Sequence, residues 1–469
     1  MLDFSSFEGN KVFFPFFEEI SRIPRGSGNT KGIADYLENF ARERSLFVYR
    51  DEEDNIVIKK NGTAGYEDQP PVILQGHTDM VIAVGADSKT DILRDGVSLS
   101  IDGDFLVADS TTLGSDDGIA VAYMLALLDA SDIAHPPIEA VFTANEETGL
   151  FGAIGLDCSI LSGRTMINLD GGGDGIFIAG CAGGCKLTLS LSATQKKQTG
   201  YKKITISGLR GGHSGSEINK NRLNAIKLIS EITPKGAMIG EIKAGNASNA
   251  IAAYAEFKIE KDTEIERSIE SALIKYADSE KNISITSEKC SDECTLFSRE
   301  DSEKILALID EVPYGVTAME EAFPIPKTSI NHGTITSSES EFNLAVSIRS
   351  SADEKKDLLA QRVQRIAERL GFTTKRSNDY PGWEFKPESE IRKRLTDTYE
   401  RLFGTEPKTI AIHAGLECGI FSGKIKGLDV ISVGPTAYDI HTIKERLSIP
   451  SAIRFFELLC EVLAIKGEN

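Results

Sequence analysis

"PVILQGHTDM", residues 71–80, decides how the chain is read. Val72-Ile73-Leu74 is a short apolar run bounded by Pro71 and Gly76, the pattern of a buried strand. A buried strand should end in turn residues. This one ends in His77 and Asp79, side chains that can hold a metal ion or move a proton. The theme recurs. "IEAVFTA" (138–144) leads to Glu146 and Glu147, "RTMINLD" (164–170) ends in Asp170, and "LDVISVGP" (428–435) runs into a loop carrying His441. "DDGIAVAYMLALLDA" (116–130) and "SAIRFFELLCEVLAIK" (451–466) have helical periodicity, and "TIAIHAG" (409–415) reads as a further buried strand. Strands alternating with helices predict an α/β domain with a mostly parallel sheet and flanking helices. Ligands of such a sheet bind outside the carboxyl ends of its strands.

The middle of the chain follows another rule. "KKITISGL" (202–209), "NAIAAYAEFKIE" (249–260), "NISITSEK" (282–289) and "EFNLAVSIRS" (341–350) alternate apolar and polar residues, as half-exposed antiparallel strands do. The amphipathic "EKKDLLAQRVQRIAERLG" (354–371) reads as a helix among them. The expected organisation is a catalytic α/β domain in two parts, residues 1–187 and 377–469, interrupted by an inserted α+β domain over 188–376.

Composition narrows the function class. The chain has 469 residues, 41% hydrophobic and 26% charged, with 71 acidic against 52 basic side chains and a net charge of −19. That excess argues against nucleic acid and anionic membranes as partners. No stretch approaches the roughly 20 apolar residues needed to span a bilayer, and the N-terminus has neither the basic nor the apolar region of a signal peptide. A cytoplasmic protein is expected. Seven cysteines are too sparse for a disulfide scaffold. The C-x3-C pairs Cys181/Cys185 and Cys290/Cys294 have the wrong spacing for a usual structural zinc site and are expected to be free thiols.

Taken singly, each candidate has an ordinary reading. Asp116 or Asp117 in "LGSDDG" would cap a helix, and "NEETG" would be a solvated loop. Together, two histidines and several carboxylates at strand ends of one sheet suit two divalent cations. Metals about 3.5–4 Å apart clamp and polarise a scissile carbonyl. Glu146 and Glu147 would point opposite ways on an extended strand, so both can serve one site only if the chain bends after Asn145. In the middle segment, His213 follows a strand among glycines, Arg349 suits a carboxylate partner, and His135 and His332 have no setting that suggests chemistry.

"GHTDM", "LGSDDG", "NEETG", "NLDGG", "GGHSG" and "IHAGLECGIF" resemble, in order and across nearly the whole chain, the motifs of the M20 family of metallopeptidases, in its aminoacyl-histidine dipeptidase branch. The resemblance implies a zinc-aminopeptidase-like catalytic domain with an inserted lid. It implies that His77 and Asp170 hold one metal, that Glu147 and His441 hold the other, and that Asp116 bridges them. Asp79 would orient the His77 imidazole and Glu146 would be the general base. His213 would stabilise the oxyanion, supplied in dimeric relatives by the partner subunit. Asn246, Asn249, Arg349 and His413 would line the substrate pocket, and Glu417 would meet a dipeptide's ammonium. A cis peptide is implied at Asp116-Asp117, where Asp117 stands in place of a frequent asparagine. The expected cofactors are two zinc ions, with manganese or cobalt as alternatives, and the expected assembly is a homodimer. The expected activity is hydrolysis of dipeptides, including those ending in histidine. The rivals are an N-acyl amino acid amidohydrolase on the same fold and a non-catalytic metal- or peptide-binding protein.

Overall fold

The computed structural model describes residues 2–466, which form two compact units. The first comprises residues up to Gly180, then Phe385–Ala411 and Leu416 onward; the second comprises Cys181–Glu384 and Ile412–Gly415.

The first unit is built on an eight-stranded sheet. Its strands are β1 (Phe47–Arg50), β2 (Ile56–Lys60), β3 (Val72–His77), β4 (Ile138–Thr143), β5 (Thr165–Asn168), β6 (Ile176–Cys181), β7 (Lys408–Ile412) and β8 (Asp429–Ser432), in the order β1-β2-β4-β3-β5-β8-β6-β7. The four central strands β4, β3, β5 and β8 run parallel, whereas β1, β2 and β4 pair antiparallel, as do β8 and β6. The parallel register sets His77 beside Thr143, Gln75 beside Asn168, and Asn168 beside Ser432. The carboxyl ends of β3, β4 and β5 are therefore level. This is where the chain releases His77, Glu146-Glu147 and Asp170.

The sequence Gly118–Leu128 has no polar face, and every residue in it is buried in the helix Ser115–Asp129. A helix apolar all round belongs in the middle of a core. Here Tyr123 stacks on Phe456 at 5.6 Å, meets Phe13 edge-on at 4.7 Å, and donates its hydroxyl to the Ala452 carbonyl at 2.9 Å. Gly76 lets this helix approach β3. A Cβ there would lie 2.5 Å from Asp117 Oδ2 and 2.6 Å from Ala120 Cβ. The closeness allows Asp117 Oδ2 to accept the His77 backbone N–H at 3.1 Å. A small four-stranded sheet, ordered 437–438, 446–448, 105–108 and 99–102, holds the loop that carries His441 between its first two strands.

The second unit is built on a nine-stranded sheet whose strands pair antiparallel. Strands such as Ala255–Glu260 alternate buried and half-buried residues, as one-sided sheets require. The expected continuous strand 249–260 is broken at 252–254. Ala250–Ile251 leaves the main sheet to pair with Gly212–His213, while Ala255–Glu260 stays in it. The alternation alone does not show which sheet each half joins. Among the described residues, no helix is long and apolar enough to cross a membrane, and all seven cysteines are free thiols.

Both histidines expected to be structural are fully buried. His135 Nδ1 contacts the Pro136 carbonyl at 2.7 Å. In the second unit His332 donates from Nε2 to the Pro313 carbonyl at 3.0 Å, and burial pushes its pKa down to about 3. An unfolded histidine titrates near 6.5. Between those values the unfolded chain binds the extra proton, so His332's contribution is complete above about pH 6.5 and is lost as pH falls toward about 3. His332→Leu should flatten the acid limb of stability by up to one proton. It should also cost about 1–3 kcal/mol at neutral pH, because the Pro313 carbonyl loses its donor. Denaturant unfolding across this pH range checks both, and an unchanged slope would remove His332 as the group responsible.

Candidate active site

His77 is the last residue of β3, and its ring is almost completely buried. Nδ1 donates to the Asp79 backbone carbonyl at 3.0 Å, with the Asp79 carboxylate at 3.6 Å. The orientation expected from the Asp79 side chain thus comes more directly from its carbonyl. The carboxylate accepts instead from Ser27 Oγ at 2.7 Å and from the Glu146 backbone N–H at 3.0 Å. Asp79 therefore holds the loop of the expected base.

That loop bends where two-sided use of Glu146 and Glu147 requires. β4 ends at Thr143, Asn145 takes a left-handed φ of 56°, and the Glu146 carbonyl closes a turn by accepting from Gly149 and Leu150 at 2.9 Å each. Asn145 Oδ1 accepts the Gly28 N–H at 2.7 Å, fixing the bend.

Asp116 lies between the two histidines. Its Oδ1 is 3.0 Å from His77 Nε2 and its Oδ2 is 3.2 Å from His441 Nε2. His441 Nε2 also lies 2.8 Å from Glu147 Oε1. Donor atoms of His77, Asp116 and Asp170 fall within 4.8 Å of one another, and so do those of Asp116, Glu147 and His441. Asp116 belongs to both groups. A third group of the same compactness joins His77, Glu146 and Glu147. The peptide bond Asp116-Asp117 is cis.

The electrostatics of this cluster are those of buried like charges seeking cations. Burial raises the Asp170 carboxyl well above its usual range, and the fields of Asp116 and Asp117 push the same way. Burial also pushes Glu146 up to about 8, against the pull of His77. Burial alone would lower His77, but Asp116, Asp79 and Glu146 outweigh it and hold the imidazole well above 6.5. The close carboxylates of Asp116 and Glu147 carry His441 up to about 10, against the effect of burial. Burial works against ionised Asp116, yet His441 and His77 keep it below the ordinary carboxylate range. Divalent ions would supply the positive charge that such a cluster calls for. The donor set fits such ions: two imidazoles and four carboxylates converge, and the buried Glu147 Oε1 finds no aligned hydrogen-bond donor although His441 is near.

The other candidates are placed less uniformly. In the second unit, His213 sits between Gly212, with φ of 127°, and a turn in which the Gly215 N–H donates to His213 Nδ1 at 3.3 Å. Neutral His213 therefore keeps its proton on Nε2, free to donate. Burial and Arg349 lower its pKa. Arg349 donates to the Tyr380 hydroxyl at 3.2 Å, while its buried Nε has no hydrogen-bond partner among the described residues. His413 contacts Ser329 Oγ through Nε2 at 2.7 Å, and Ser329 is the cross-strand neighbour of Arg349. Burial, then Arg349 and His213, push His413 down to about 3. His213, Arg349 and His413 thus act on one another electrostatically. Asn246 and Asn249 are exposed, and the Asn249 carbonyl accepts the Ser214 N–H at 2.8 Å.

Glu417 departs from its expected setting. It is fully buried in the first unit, where Oε2 accepts from Gln75 at 2.5 Å and from Thr143 at 2.7 Å. Burial pushes its pKa up to about 7. A carboxylate enclosed in this way, tied to the strands beneath the ligands, does not present itself to an ammonium arriving from solvent.

Sequence reasoning passed over Arg25, Ser27, Tyr380 and Glu445. Only Glu445 had a local signal, four residues after His441 on the same loop.

No family model matches the chain. It is 32% identical over 464 residues to the cytosol non-specific dipeptidase of Escherichia coli strain K12, covering 95% of this chain and 96% of that protein. Among solved structures, the aminoacylhistidine dipeptidase of Vibrio alginolyticus superposes with a TM-score of 0.88 at 32% identity, covering 98% of this chain and 97% of that one. An M20 family metallo-carboxypeptidase of Sulfolobus solfataricus shares the fold at a TM-score of 0.55 and 16% identity, with 97% of this chain and 99% of that chain covered. A sheet that delivers histidines and carboxylates to one cluster, in a chain this similar end to end to these dipeptidases, belongs to the M20 family of metallopeptidases, in the aminoacyl-histidine dipeptidase branch.

Proposed function

We propose that the protein is a cytoplasmic dipeptidase that uses two divalent metal ions, zinc in the first instance. The observation that carries this reading is the carboxylate of Asp116, which turns one oxygen toward His77 and the other toward His441. His77 and Asp170 would hold one ion, Glu147 and His441 the other, with Asp116 shared. Bound ions supply Lewis-acid polarisation of the scissile carbonyl and acidify water at neutral pH.

The chain's own groups do the rest. Glu146 takes a proton from the attacking water on its carboxylate and passes it to the leaving amine. Its raised pKa suits the second step, and the charge of neighbouring cations favours the ionised form needed for the first. The Asp79 carboxylate holds Glu146 through its backbone N–H. His213, with its proton on Nε2, offers a donor to a carbonyl oxygen gaining negative charge. Arg349 makes no ion pair with a carboxylate among the described residues, so its guanidinium is available to the α-carboxylate that every dipeptide presents. Asn246, Asn249 and His413 would complete that pocket. A lid role for the second unit and assembly as a homodimer belong to the same reading.

Glu146→Gln should retain both metals while kcat falls about 10²–10⁴-fold; metal content measured beside dipeptide turnover checks this, and retained turnover would remove Glu146 from its role. Arg349→Met should raise KM roughly 10- to 100-fold for a free dipeptide, as expected for loss of a charged hydrogen bond, and should change little for the C-terminally amidated dipeptide. Equal losses on both substrates would place Arg349 elsewhere. Stripping the ions with a chelator should abolish hydrolysis and lower Tm, because ligands bound only to the folded state stabilise it. Zinc, manganese and cobalt added back separately identify the preferred ion, and hydrolysis that survives chelation would exclude the metal mechanism.

A further inference from the structure

Glu445 is 3% exposed and lies within the first unit, on the segment that also carries His441. Its carboxylate is filled by one stretch of backbone. Oε2 accepts from the N–H groups of Leu113 at 2.9 Å and Gly114 at 3.1 Å. Oε1 accepts from Ser115 N at 2.8 Å and Ser115 Oγ at 2.7 Å, with Asp116 N at 3.4 Å. Consecutive N–H groups on one turn thus close around one carboxylate, and the turn ends at Asp116.

The opposite side of this turn is gripped by Arg25, which is 1% exposed. Nη2 donates to the Gly114 carbonyl at 2.6 Å, and Nη1 donates to the Thr78 carbonyl at 3.0 Å, one residue after His77. Gly114 is held from both sides, by Glu445 at its N–H and by Arg25 at its carbonyl. Its φ of 69° and the 2.6 Å separation of a would-be Cβ from Arg25 Nη2 leave no room for a side chain. Of the carboxylates that help a buried Arg25 stay charged, Glu445 exerts the largest effect, ahead of Asp79, Asp117 and Asp116. The guanidinium and carboxylate therefore stitch three loops together: the one leaving His77, the one ending at Asp116, and the one carrying His441.

We propose that Glu445 is a positioning residue that sets the spacing between Asp116 and His441, and so fixes the affinity for the ion they would share with Glu147. The inference rests on the metal reading above. It concerns none of the ligands themselves, and the removal of groups that orient ligands characteristically weakens metal binding about 10- to 100-fold.

Glu445→Gln keeps the size of the side chain but turns one acceptor into an NH2 group facing backbone donors. A matched control exists at the amino end of the same sheet. Glu139, also 3% exposed, accepts from Ser162 N and Gly163 N at 3.0 Å and from Ser162 Oγ at 2.9 Å, and in addition pairs with Lys59 Nζ at 2.8 Å. Glu139→Gln removes a similar carboxylate-to-loop grip far along β4 from the ligands. The experiment titrates Co²⁺ into the metal-stripped full-length protein and follows the visible absorption of the ion. The unsubstituted protein should take two equivalents. Glu445→Gln should weaken one step about 10- to 100-fold and alter its spectrum while leaving the other step nearly in place. Glu139→Gln should lower Tm without moving either step. Where Glu445→Gln does not fold, Ser115→Ala, which deletes only the hydroxyl donor, should weaken the same step by a smaller factor. Unchanged binding in the Glu445 variant overturns the proposal, or in Ser115→Ala where that variant replaces it. Equal weakening in the Glu139 variant also overturns it. Failure of the unsubstituted protein to bind two Co²⁺ removes the metal reading and this inference with it.

Discussion

Negative charge crowded into a partly buried cluster is the constraint on which the rest of the first unit depends. Asp116, Glu146, Glu147 and Asp170 converge with His77 within a few ångströms, and Asp79 and Asp117 stand just behind. Buried carboxylates at this density cannot all ionise unless positive charge is supplied. The imidazoles supply part of it, which is why His77 and His441 hold their protons so strongly. Asp170 and Glu146, which burial raises more than His77 lowers, are driven toward the neutral form. A pair of divalent ions would resolve the same conflict without protons and, on the proposed reading, would leave Glu146 free to move one.

Holding like charges together demands a rigid frame. The central strands lie in parallel register, so three ends that carry candidate ligands emerge side by side. Beyond the strands the backbone takes conformations that side chains rarely adopt, with φ of 56° at Asn145 and 63° at His441. Such positions cost about 1–3 kcal/mol each and persist only where the surroundings over-determine them. At Asn145 the surroundings are the hydrogen bond to Gly28 and the turn closed on Glu146. Around His441 they are the two paired strands that flank its loop.

The second unit poses a milder version of this problem with the opposite sign. Among the described residues Arg349 makes no ion pair with a carboxylate, and it adds to the burial that lowers the proton affinity of His213 and His413.

The sequence by itself determined the elements and most of the chemistry-bearing positions, because their signals are local. Apolar runs ending in His77 and Asp170, the glycine-flanked "LGSDDG" and the doubled glutamate after "AVFTA" are all patterns a few residues long, and residues of strand and helix period reveal their burial without reference to a partner. Tertiary structure alone decided everything that depends on which distant segment comes alongside. It turned the two oxygens of Asp116 toward different histidines, enclosed Glu417 against Gln75 and Thr143, split 249–260 between two sheets, and set Glu445 and Arg25 on either side of Gly114. Residues 25, 114 and 445 share no periodicity that could announce such a contact. A hydrogen bond between them exists only once the sheet has brought their loops together.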